Sequence, residues 1–290
     1  MGQATHEGLV LGAGALLMAV AACGLAAEEP EVDPGEVEAG SPPRTCATPD
    51  PGDAMEPRAL LAPAATFEPV TIEVHFHVLM SSVGEGAVPD AVIRDQMQVL
   101  RDAFAGTGFD FALHSVTRAL SSTWFTMTPG SAAEAAAKQH YHRGTASDLN
   151  LYTAKPGGGT LGWATYPWQV GGDLTGDGVV LLYRTMPGGE GAPFDEGDTA
   201  THEVGHWLGL HHTFLGGCSK QNDSVGDTNA ESGPAFGCPF GRDTCTDLLF
   251  PGPDPVENFM DFANDSCMVL FTAGQAERMQ DSWQTYRAGG

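Results

Sequence analysis

Positive charge is scarce in this chain. Its 290 residues carry 13 Lys and Arg against 37 Asp and Glu, a formal charge of −24. That balance repels a phosphate backbone instead of releasing its counterions, so no nucleic-acid partner is expected. It suits a soluble extracellular protein, can supply calcium ligands and attracts cationic substrates. Long apolar runs are lacking too: GLVLGAGALLMAVAACGLA, near the amino terminus, holds a run of about a dozen apolar residues, too short to span a bilayer comfortably. It ends in small residues before acids begin, the form of an export signal over residues 1–22. No Lys or Arg precedes the run, a departure from the ordinary pattern. No internal repeat is visible, and PGGGT at 156–160 lacks the Gly-Lys-Ser/Thr ending of a phosphate loop, which leaves a turn.

Val20-Ala21-Ala22-Cys23 has the form of a bacterial lipobox. Cys23 is then either a lipidated anchor at the cell surface or a chance cysteine in a cleavage site of a freely secreted protein; both readings stay open. Export permits disulfides. Cys218, Cys238, Cys245 and Cys267 crowd the last quarter, enough for two bridges in three pairings that spacing cannot separate, while Cys46 stands alone.

Residues 23–66 read as an acidic linker or pro-segment, because EEPEVDPGEVEAG carries six acids and no base and cannot bury a core. From residue 67 to 290 the pattern is that of one domain. Alternation at 71–78 predicts a strand and the apolar spacing of PDAVIRDQMQVLRDAFAGTG a helix. FDFALHSV, DLNLYTA, LGWATY and GVVLLYR predict four further strands, SAAEAAAKQHYH and TAGQAERMQDSWQTYR two more helices. The fold class is α/β (α+β), with a mixed five-stranded sheet followed by a loop-rich, Gly-, Asp- and Cys-dominated stretch. Asp173, Thr175 and Asp177 imitate a calcium loop but lack its closing glutamate, so they read as a turn.

The densest chemistry lies in THEVGHWLGLHHTF, residues 201–214. On a helix, positions i and i+4 share a face about 5–6 Å apart, so His202 and His206 aim at one point; HExxH is the zinc-binding form of that geometry. Gly209 lets the chain leave the helix in a conformation other residues resist, bringing His212 to the same point. Three neutral imidazoles with an open fourth position make a catalytic zinc site, not a closed structural one. Glu203, beside the first ligand, is placed to take a proton from a water whose pKa the metal lowers to about 7. His211 competes as third ligand, but the spacing selects His212 and puts His211 on the rim. The blander reading, a core helix with incidental histidines, must put Gly209 and His212 at those offsets by chance.

HExxHxxGxxH resembles the signature of the metzincin metallopeptidases. TATHEVGHWLGLHHTF, ENFMDFANDSCMVLFTAGQ and LNLYTAKPGGGTLGWATYPW together resemble the pappalysin family, over about residues 70–287. The resemblance implies a monomeric zinc endopeptidase acting on protein or peptide substrates. Its upper α/β lobe would end in the zinc helix, and disulfides would hold an irregular lower lobe. It implies a Met-turn with Met260 under the three imidazoles. Gly162, Trp163 and Ala164 would form an edge strand on which an extended substrate pairs. It also implies bridges Cys218–Cys245 and Cys238–Cys267. Calcium would bind through Asp223, the Val225 carbonyl, Thr228 and Glu231, against the alternative of an ordinary acidic loop. Cys46 would fill the open zinc position as a latency switch until the pro-segment is cut, against a bridge to Cys23 or an inert thiol. Asp265, by position and charge, is expected to line the S1′ pocket and favour Arg or Lys there. The chain departs from the family at Phe262, where a Tyr usually stands: a hydroxyl that would stabilise the oxyanion is missing, and one such donor is worth about 10²–10³ in turnover. The rival reading is a weak or inactive surface binding protein that keeps zinc and calcium as supports.

Overall fold

The computed structural model describes residues 1–2, 45–51, 67–246, 249 and 252–289. The expected export signal beyond its first two residues, the Cys23 anchor and most of the acidic segment lie outside them. Of the two units the chain forms, Met1–Asp33 and Pro34–Gly290, the second holds every element of regular structure among the described residues.

In chain order these are β1 (Val70–Met80), α1 (Asp90–Ala103), β2 (Phe109–Leu120), α2 (Ser122–Phe125), α3 (Ala132–Tyr141), β3 (Leu149–Ala154), β4 (Gly162–Ala164), β5 (Val179–Leu182), α4 (Asp198–Trp207) and α5 (Ala273–Ser282). The five strands make one sheet in the order β2-β1-β3-β5-β4. All pairs are parallel except β4 with β5. The mixed five-stranded sheet expected from sequence is present.

Alternation along β1 builds the core. Ile72, Val74, Phe76 and Val78 face one side with Leu149, Leu151, Val179 and Leu181, against Ile93, Met97 and Leu100 of α1 and Ala200, Val204 and Trp207 of α4. Each large side chain so buried contributes about 1.5–3 kcal/mol. The intervening His77 goes to the opposite face, stacked on Tyr152 at 4.6 Å. Because β4 closes the order, its outer side is a sheet edge, the kind that takes up another chain segment.

After α4 the packing changes character. Between Gly209 and Thr272 the described residues hold only a 3-10 turn, at Asp265–Cys267. Disulfides Cys218–Cys245 and Cys238–Cys267 cross-link this stretch, pairing first with third and second with fourth as expected. Arg242 bridges Glu231 and Asp254, both buried. A small apolar cluster of Ala235, Val256, Phe259, Ala263 and Met268 lies beside them. α5 opens on a capping box, Thr272 with Gln275. The chain then returns to α4: Arg287, 1% exposed, pairs with Asp177 at 2.9 Å, donates to Trp207 O and lies 3.5 Å over the Trp207 ring. The Asp173–Asp177 turn is therefore an anchor point, with Asp177 also accepting from Trp207 Nε1.

Candidate metal centre

α4 carries His202 and His206 one turn apart, and Gly209 ends it at φ +100. A Cβ there would sit 2.5 Å from Ser282 Oγ, so glycine is required by space as well as by conformation. The reversal brings His212 onto the same point. His206 Nε2 lies 3.2 Å from His202 Nε2 and 3.1 Å from His212 Nε2. Each ring is oriented from behind: Nδ1 of His202 donates to Phe259 O at 2.7 Å, Nδ1 of His206 to Leu210 O at 2.8 Å, and Nδ1 of His212 to Asp50 Oδ1 at 2.9 Å. Those acceptors place the proton on Nδ1 and leave three Nε2 lone pairs converging with no proton between them. Such a set repels itself unless a cation sits at its centre, the arrangement of metal-ligating histidines with oriented outer nitrogens. Burial holds His206 neutral, with His212 and His202 as further causes.

Cys46 is the fourth member. Its sulfur and one nitrogen from each of the three histidines all lie within 4.8 Å of one another. Burial pushes this thiol well above the ordinary range and the Glu203 carboxylate adds to the effect; a divalent cation at the same point reverses that sign and favours thiolate. The donor set, three imidazoles and one sulfur, fits zinc. Cys46 is free, in contact with this centre rather than bridged.

The segment bearing Cys46 is paired to the edge of β4. Leu161 N donates to Thr45 O and Ala47 N to Gly162 O, in a parallel bridge of Cys46 with Gly162. Thr48, 3% exposed, has a hydroxyl that donates to Glu203 Oε2 at 2.8 Å and accepts from Ala164 N at 2.8 Å. The segment therefore touches the metal cluster, the glutamate, the edge strand and, through Asp50, a ligand's outer nitrogen. Asp50 is held below the usual carboxylate range, chiefly by its bond to His212.

Two glycines set the approach distances. A Cβ on Gly162 would lie 2.8 Å from Glu203 Cγ, so this glycine lets the glutamate reach the edge strand. A Cβ on Gly205 would lie 2.4 Å from Met260 Sδ, so this one lets Met260 close up beneath the helix. Met260 is fully buried.

Three expectations need correction. His211 is not on the rim: it is 2% exposed, with Nδ1 against Asp223 O and Nε2 facing Arg278, and burial with the Arg278 charge pushes its pKa down to about 3. Trp163 turns its side chain away from the cleft, to Glu134 Oε1 at 2.6 Å, leaving only backbone to a substrate. Asp265 is 2% exposed and its Oδ2 accepts from Glu196 N and Asp198 N at the start of α4, where a carboxylate complements the helix dipole; it does not project into the cleft. Sequence missed Thr48, Asp50 and Tyr166, whose hydroxyl lies 3.3 Å from His206 Nδ1 while its ring stacks on Trp168 at 4.5 Å.

In the loop after α4, Asp223 Oδ2, Thr228 Oγ1 and Glu231 Oε1 are buried without a hydrogen-bond partner of acceptable geometry. Burial pushes the Asp223 carboxyl up to about 7 and Glu231 up to about 8. Orphaned buried oxygens on these three residues are what a bound cation would satisfy. Glu231 Oε2 is already paired with Arg242 at 3.0 Å.

Comparison with known proteins agrees with this geometry. The family model Peptidase_M43, Pregnancy-associated plasma protein-A, matches residues 186–284. Extracellular metalloprotease 1 of Coccidioides posadasii is 41% identical over 258 residues, covering 85% of this chain and 91% of its own length. An extracellular metalloprotease of Podospora anserina is 40% identical over 233 residues, covering 79% and 78%. Among solved structures, a promirolysin mutant of Tannerella forsythia superposes with a TM-score of 0.69 at 26% identity, over 84% of this chain and 95% of that one. Mature mirolysin in complex with a cleaved peptide gives 0.63 at 29% identity, over 78% and 97%.

Proposed function

The chain belongs to the pappalysin family of metzincin metallopeptidases, and on that premise we propose that it is an exported zinc endopeptidase made as a latent precursor. His202, His206 and His212 hold the metal. The observation that carries this is the convergence of three Nε2 atoms, that of His206 lying 3.2 Å from His202 Nε2 and 3.1 Å from His212 Nε2. When bound, zinc supplies a Lewis acid that polarises the scissile carbonyl and acidifies water. Glu203, buried beside the cluster, takes the proton of the attacking water and returns it to the leaving amine. The edge of β4 aligns the substrate through Gly162 and Ala164 backbone groups. That the similar proteins are extracellular metalloproteases supports export; lipidation at Cys23 is the anchored variant of the same reading.

Latency is assigned to residues 45–51. Cys46 would add a sulfur ligand to the three imidazoles that would hold zinc, while Thr48 occupies Glu203 and the Ala164 amide and Asp50 holds His212. Removing the segment frees all three groups together. Calcium is assigned to Asp223, the Val225 carbonyl, Thr228 and Glu231, as a support for the loop that follows His212.

Intact mass against time, for the purified chain with zinc and calcium beside its Glu203→Ala variant, tests this reading. Wild type should shorten itself while the variant stays whole. If wild type stays whole and, once trypsin has removed the pro-segment, cuts no denatured protein, the endopeptidase reading is wrong.

A further inference from the structure

Three phenylalanines stand beside the metal cluster on segments that the catalytic reading does not use. Phe214 stacks on His212 at 4.8 Å and 9°. Phe262 meets both edge-on, 4.9 Å from Phe214 and 5.0 Å from His212. Phe236 extends the row, 6.3 Å from Phe262, and is 38% exposed. Phe236 and Phe262 are held in register by one buried group: Asp261 Oδ1 accepts from Ala235 N at 3.0 Å and from Phe262 N at 2.7 Å. The Cys238–Cys267 bridge and the Asn264 N to Gly237 O bond tie the same two segments. An apolar surface fixed this firmly at the mouth of a site is built to meet something.

Resting on the endopeptidase reading, we propose that Phe236, with Phe262 and Phe214, forms a substrate subsite for an aromatic or branched aliphatic side chain on the amino side of the scissile bond. The side follows from chain direction. The latent segment runs parallel to β4, from Thr45 at Leu161 through Thr48 at Ala164 to Asp50 at His212. A substrate paired antiparallel to β4 runs the other way, so its residues preceding the scissile bond lie where Thr48 to Asp50 lie, toward His212 and the aromatic row. The three rings offer no polar atom, so they favour an aromatic or aliphatic side chain over a polar one; one such pocket contact discriminates substrates by roughly tenfold or more.

The test is a quenched-fluorescent peptide set on the mature enzyme, varying each of three positions on either side of the cut among Phe, Leu, Ala, Asp and Arg. Wild type should favour Phe or Leu over Ala by about tenfold at one amino-side position. Phe236→Ala should lower that kcat/KM ratio by about tenfold, mainly through KM, and Phe236→Leu should restore it, which separates the subsite from a folding defect. An unchanged ratio in Phe236→Ala, a preference for Arg at that position, or a change confined to the carboxyl side overturns the inference. A wild type that cuts peptides without any such preference overturns it alone; one that cuts no peptide overturns the endopeptidase reading as well.

Discussion

Residues 67–208 and residues 209–289 are stabilised by different physics. The first stretch rests on a parallel sheet whose aliphatic face is buried against α1 and α4. The second has a small apolar cluster and relies on two disulfides and the Arg242 ion pairs, against the desolvation cost of buried carboxylates. The metal cluster stands on the seam: His202 and His206 come from the first stretch, while His212, Met260 and the Phe259 carbonyl come from the second. A site so divided has a rigid wall on one side and a cross-linked one on the other, so its integrity depends on the weaker partner.

Removing the cross-links gives the largest expected effect. Serine in place of all four bridged cysteines should cost about 3.5 kcal/mol per bridge by loop entropy. Turnover should vanish, and limited proteolysis should nick residues 213–256, while far-UV circular dichroism still reports the sheet. Loss of sheet and activity at one temperature would mean a single cooperative unit and would break the comparison. Next is Arg287→Ala, which strands the buried Asp177 carboxylate; breaking such a pair costs about 3–5 kcal/mol. Urea denaturation should show it destabilising the first stretch, although Arg287 lies at the far end of the chain.

The two stretches should also answer pH with opposite signs. His77 is buried between Asn150 and Thr117, and burial lowers its pKa to about 4. The unfolded state therefore binds more protons below the ordinary histidine pKa of about 6.5, and stability present above that value is lost as pH falls to about 4, by about 3 kcal/mol. Asp261 is shifted the other way, up to about 7 by burial. In chelated protein its folded form binds more protons than the unfolded chain, so the second stretch loses stability as pH rises through that window. Segment-resolved hydrogen exchange in EDTA at pH 5 and pH 7.5 should show the two slopes; parallel slopes would refute the assignment.

The legible parts of this molecule were those written in local spacing. The i, i+4 histidines, the glycine three residues on and the alternation in β1 each bind a short stretch of sequence to one geometry. Gly205 was legible in part, since a glycine inside a helix costs roughly 0.5–1 kcal/mol and implies a close neighbour, but only the structure identifies Met260 Sδ. Thr48 and Asp50 were not legible, because no periodicity relates residue 48 to residue 203, and a hydroxyl or acid in a Pro-rich segment reads as a turn. His211 failed for a related reason: two adjacent histidines face different ways, and the sequence fixes neither which one is buried nor that Arg278 meets it.

The smallest expected effect bears on the seam itself. Phe262 lies beside His202 and His212, where the family resemblance implies a tyrosine, and its ring belongs to the second stretch. If the first stretch supplies the general base and the second a missing oxyanion donor, Phe262→Tyr should raise kcat by about tenfold, below the 10²–10³ of an optimised donor, with KM little changed. Stopped assays on one peptide, with zinc content held equal, read this directly. A fall in kcat with KM unmoved would refute this, because the new hydroxyl would then be buried without a partner among Phe214 and Phe236 and would never reach the oxyanion.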